Sequence, residues 1–145
     1  MISLFKKTVI RVSFEALMAQ LITALTNEGF TVSGITDFQQ EFEANLGIHF
    51  KKYKILSVHV PYLSEQMLSF EPLEGVVLPC NITLLELHPG EIEIVPVNPT
   101  ELIARNIQNA PLQNIAEEAS RRLAIAIHTL ERQTTGTPEL FTSWE

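Results

Sequence analysis

Apolar residues recur along this chain with two different periods, and the changes of period mark out its elements. Leu4 to Val12 carries Phe5, Val9, Ile10 and Val12 and is predicted as a strand. Phe14, Leu17, Met18, Leu21, Ile22 and Leu25 then fall three and four apart, which places one apolar stripe along a helix. Ser13 stands at its N-cap, and Gly29 supplies the left-handed residue that closes it. Phe30 to Thr36 predicts a second strand. Asp37 caps the next segment, with Gln40 three residues on to complete a capping box. Phe38, Phe42 and Leu46 suit a short helix ending at Gly47, although an extended reading of that segment stays open.

Tyr53 to Val60 alternates, with Leu56, Val58 and Val60 on one face and Tyr53, Ile55, Ser57 and His59 on the other. Pro61 begins a helix over Tyr62 to Phe70. Val76 to Leu87 is predicted as a strand interrupted by Pro79, which cannot donate to a ladder. Pro89-Gly90 turns the chain back into Glu91 to Val97, making a hairpin. Asn98-Pro99-Thr100 opens a helical region broken at Pro111. Beyond it Leu112, Ile115, Ala116, Ala119, Leu123, Ala126, Ile127 and Leu130 keep helical spacing.

The expected organisation is one α+β domain over residues 1–133 and a C-terminal extended tail over 134–145, whose Leu140, Phe141 and Trp144 dock on this chain or on a neighbour. The element order predicts a two-layer fold: a mostly antiparallel sheet of about five strands with helices on one face. The hairpin strand is apolar on both faces, Ile82 and Leu84 against Leu85 and Leu87. Val95 and Val97 share the face of Glu91 and Glu93. A sheet with one wet face alternates more cleanly, so a second subunit is expected over the other face.

Composition narrows the function classes. Ten basic residues stand against seventeen acidic ones in 145, a net charge of −7, which argues against nucleic acid as a partner. No apolar run approaches the ~20 residues that cross a bilayer. Lys6 and Lys7 follow the first apolar residues rather than preceding them, unlike a secretory signal. A single cysteine agrees with a reducing compartment, and the expected location is the cytoplasm.

The run Glu74-Gly75-Val76-Val77-Leu78-Pro79-Cys80-Asn81-Ile82-Thr83-Leu84, together with Gly29-Phe30, Asp37, Pro61 and Pro99, resembles an uncharacterised bacterial and archaeal family, domain of unknown function 302. The resemblance spans about Phe5 to Ala104. It implies a small α+β fold, a dimer and no established activity. Family members commonly carry Cys-Asn-Pro where this chain has His59-Val60-Pro61, so His59 stands in place of a second cysteine.

The candidate ligand-binding or redox residues are Cys80, His59, Pro79 and Tyr62. A thiolate is a nucleophile, redox centre or metal ligand when a neighbour lowers its pKa, and His59 is the partner the resemblance offers. Against this, one cysteine and one histidine make an incomplete zinc site, and cysteine is commonly a small buried hydrophobe. His49, His88 and His128 show no paired metal-ligand spacing. Glu86, Glu91 and Glu93, and Asp37, Glu41 and Glu43, are carboxylate clusters that need to converge in one cleft before they do acid–base chemistry. The leading expectation is a homodimeric, non-enzymatic module without cofactor that binds a small apolar to amphipathic ligand or a protein partner. The alternative is a thiol-dependent redox or metal-handling protein centred on Cys80 with His59. A small hydrolase or isomerase using the acidic residues is the third.

Overall fold

The computed structural model describes residues 8–70, 80–97 and 110–133. Five strands and four helices follow in the order β1 (Thr8–Ile10), α1 (Phe14–Asn27), β2 (Thr31–Asp37), α2 (Phe38–Leu46), β3 (Tyr53–His59), α3 (Pro61–Phe70), β4 (Cys80–His88), β5 (Glu91–Pro96) and α4 (Ala110–Gln133). The sheet has the order β1-β5-β4-β3-β2, and every neighbouring pair is antiparallel. This is the α+β architecture that the periodicities predict. The early part of the first expected strand, Val76 to Pro79, the helical region after Asn98 and the tail from Thr134 lie outside the described residues.

Pairing register sorts the side chains. Leu56 lies opposite Ile82, Ile82 opposite Pro96, Leu84 opposite Ile94, and Ile92 opposite both Glu86 and Ile10. Leu56, Ile82, Leu84, Ile92, Ile94 and Ile10 are fully buried, under a helical layer whose Phe14, Leu17, Leu21, Leu25, Leu112, Leu123 and Leu130 join the same core. Covering a leucine or isoleucine in this way stabilises by about 1.5–3 kcal/mol each relative to exposure. Because the side-chain period of a strand is two, Tyr53, Ile55, Thr83, Leu85, Glu93 and Val95 take the other face. They are half-buried there, Leu87 is exposed and Val9 is buried.

Local chemistry sets the helix ends. Ser13 Oγ accepts from the Ala16 N–H at 3.2 Å and starts α1. At the other end Phe30 N–H donates to Leu25 C=O and Gly29 N–H to Thr26 C=O, each at 3.0 Å, a Schellman closure with Gly29 at φ +87°. Phe30 and Leu25 are both buried, supplying its hydrophobic contact. Arg122 of α4 braces this turn, its Nη1 donating to Glu28 C=O at 3.2 Å. Pro111 sits in the first turn of α4, where its missing N–H has no helical partner to lose.

Asp37 caps α2 by accepting from the Gln40 N–H at 3.1 Å, and Gly47 closes it at φ +65°. No α2 residue is buried. An isolated helix of this length is marginal in water. Its anchors are ring contacts, Phe38 edge-on to Tyr53 at 5.7 Å and Phe42 edge-on to Phe50 at 5.0 Å, and a Gln39 hydrogen bond to Phe50 C=O. Since Tyr53 stands on the face opposite Leu56, α2 attaches apart from the helical layer that covers the core.

Candidate functional site

Cys80 opens β4 directly opposite Val58, so it shares the core-facing side with Leu56 and Ile82. It is a buried free thiol, and burial pushes its pKa up to about 11. Desolvation disfavours the thiolate, which is the reverse of what activates a nucleophilic or ligating cysteine. His59 is one residue beyond Val58 on β3, and its Nδ1 shares a hydrogen bond with Ser64 Oγ at 2.9 Å. Ser64 is buried, and its N–H donates to Val60 C=O, so this bond fastens the end of β3 to the first turn of α3. No hydrogen bond joins Cys80 to His59 among the described residues. Pro79 lies outside them.

Tyr62 is placed differently. Its ring is 64% exposed on the outer side of α3, and its hydroxyl accepts from Gln66 Nε2 at 3.0 Å. It forms one wall of a groove of about 310 Å³ between α3 and α4, lined also by Leu63, Gln66, Asn114, Ile115, Glu118 and Arg122. Leu63 and Ile115 are buried and make an apolar floor. Asn114, Glu118 and Arg122 recur every four residues and therefore run along one side of α4. Glu118 binds both Arg121, at 2.7 Å, and Arg122, at 2.8 Å, and these two guanidinium groups hold its carboxyl well down, at about 2. Tyr62 is one of the candidate residues named from the sequence. The α4 residues are not, although their four-residue repeat beside the apolar stripe is the signal that points to them.

A second groove of about 360 Å³ lies between the edge strand β2 and α2, lined by Ile35, Thr36, Asp37, Gln40, Glu41, Ala44 and Asn45. Register separates Glu86 from the other hairpin carboxylates: Glu86 is paired with Ile92 towards the core, whereas Glu93, opposite Leu85, shares the other face with Glu91, which meets Arg11 at 3.5 Å. His49, His88 and His128 are exposed. Among the described residues no three His, Cys, Asp or Glu side chains group as a metal site requires. Nor, among them, is any helix long and apolar enough to cross a membrane.

An open five-stranded antiparallel sheet with a helical layer on its core face defines a small α+β protein with two shallow grooves on its described surface. The family described as "Domain of unknown function DUF302" matches residues 5–130, and the chain belongs to that family. A crystal structure of an uncharacterised conserved DUF302 protein from Bacillus stearothermophilus is similar, with a TM-score of 0.74 and 24% identity. The match covers 84% of this chain and 94% of that one, and it shows the shared fold. No curated protein matches. The Leu78-Pro79-Cys80 run, which carried much of the resemblance, falls mostly outside the described residues, Cys80 alone being within them.

Proposed function

We propose that this chain is a non-enzymatic, homodimeric binding module that takes a small, apolar to amphipathic ligand in the groove between α3 and α4. The observation that carries the reading is the groove itself: an apolar floor of Leu63 and Ile115 beside a Tyr62 ring left 64% exposed. A preformed concavity with an apolar base and a few polar groups on its rim is the usual form of a small-molecule site. Its volume is at the lower end of that class, which suits a small ligand. The dimer draws its support from Ile55, Leu85 and Val95 on the sheet face away from Leu56, where apolar side chains stand only half-buried and Leu87 is exposed.

The alternative, thiol redox or metal chemistry at Cys80 with His59, has a specific difficulty. The thiol faces the core with a raised pKa, and the His59 Nδ1 is engaged by Ser64. Native mass spectrometry tests both readings in one spectrum. A dimer is expected, with no metal. A monomer at micromolar concentration removes the dimer, and a bound metal lost in Cys80→Ser moves the function to Cys80.

A further inference from the structure

The guanidinium of Arg122 is held from two sides and left open on a third. Its Nε donates to Glu118 Oε2 at 2.8 Å and its Nη1 to Glu28 C=O at 3.2 Å. Gly29 lies so near that an added Cβ would stand 2.8 Å from Nη1, so the turn after α1 leaves room for the guanidinium by having no side chain there. A guanidinium carries five N–H donors in a planar fork. Two are used, and Nη2 makes no hydrogen bond among the described residues. Arg122 is among the residues that line the α3–α4 groove, together with the apolar floor and the aromatic wall.

The donors left on Arg122 are what the groove presents to an anion. Glu118 is ionised and engaged by both Arg121 and Arg122, and the Glu28 carboxylate also acts on Arg121, so the four groups balance in charge and what the groove offers an anion is the unused Nη2 of Arg122. Asn114 is two helical repeats away on the same side of α4, about 12 Å along the helix, and its side chain makes no hydrogen bond among the described residues. The site therefore has an Arg122 end paired with Glu118, an apolar floor of Leu63 and Ile115, and an amide end.

We infer that this groove binds a small amphipathic organic carboxylate, its oxyanion on the free N–H groups of Arg122 and its apolar body on Leu63, Ile115 and the Tyr62 ring. Planar carboxylates match the guanidinium fork, and an apolar tail gains from covering the floor. The inference rests on the ligand-binding part of the proposed function and names the class of ligand.

The probe is octanoate, with octylammonium as the same body carrying the opposite charge. Titration is followed by amide chemical shifts of the 15N-labelled protein and by calorimetry. Octanoate is expected to shift amides around Tyr62, Gln66, Asn114 and Arg122, and octylammonium to leave them in place. Arg122→Gln is expected to weaken octanoate about tenfold or more, as loss of a charge-assisted bond does. Tyr62→Ala, an exposed position whose loss leaves the core intact, is expected to weaken it as well and keeps the test sound if Arg122→Gln unfolds. Equal binding of the two probes, shifts confined to another surface, no octanoate binding, or affinity unchanged in Tyr62→Ala overturns the assignment. Sedimentation of the same samples separates the failures: a dimer that ignores octanoate overturns this site alone, whereas a monomer that binds it overturns the dimer and leaves the site.

Discussion

Gly29→Ala tests the joint between α1 and α4. The residue has φ +87°, where an L side chain costs about 1–2 kcal/mol. Its new Cβ would meet Arg122 Nη1 at 2.8 Å, and the guanidinium must shift, losing its bond to Glu28 C=O. A hydrogen bond from a charged donor is worth about 1.5–3 kcal/mol, and at 30% side-chain exposure the lower end applies. Lower entropy of the unfolded chain offsets less than about 1 kcal/mol. The net loss is about 2 kcal/mol, or a Tm lower by about 6 °C for a chain of this size. Urea denaturation of Gly29→Ala, Arg122→Met and the double variant measures it. Gly29→Ala is expected to cost less in the Arg122→Met background, with a coupling of about 1 kcal/mol or more. A neutral Gly29→Ala refutes the strained turn. Equal costs in both backgrounds refute the close approach.

Other outcomes follow from single residues. Cys80 should resist thiol reagents at neutral pH until the protein unfolds, because burial raises its pKa from 9.0 to about 11. The proton is held more tightly in the folded state, so its contribution of about 2–3 kcal/mol is complete below pH 9 and is lost as pH rises from there through about 11; Cys80→Ala should flatten that alkaline limb in pH-dependent urea melts. Glu118 has the opposite sign: its folded pKa is lowered to about 2, so its contribution is present above the unfolded value near 4.5 and fades as pH falls towards 2. Glu118→Gln should remove that acid limb, and salt should weaken it in the native chain. Leu21→Ala, at a fully buried site, should cost about 3 kcal/mol by urea melting. Leu85→Lys on the half-buried sheet face should shift sedimentation from dimer to monomer without unfolding the chain, and an unchanged dimer would exclude that face.

What the sequence by itself determined about the described elements is what is written in local chemistry. The stripe from Phe14 to Leu25 with Ser13 before it and Gly29 after it specifies α1 from both ends, and the structure returns each of those contacts. Asp37 and Gly47 mark the ends of α2, although the sequence left an extended reading of that segment open until the structure decided for the helix, and the alternation of Tyr53 to His59 specifies β3. The family was legible too, since its pattern is a linear order of residues.

Only the tertiary structure decided which of these residues meet. Cys80 and His59 looked like neighbours in purpose, but β3–β4 register puts Cys80 opposite Val58 on the core side, and His59 turns to Ser64. Register is a pairing between strands far apart in sequence, and a shift of one residue would exchange the faces. The groove likewise joins Tyr62 of α3 to Asn114, Ile115, Glu118 and Arg122 of α4. Arg122 is 94 residues from Glu28, the carbonyl that orients it. A side chain's charge and shape are local facts, whereas its free donors depend on what the packed chain has already used.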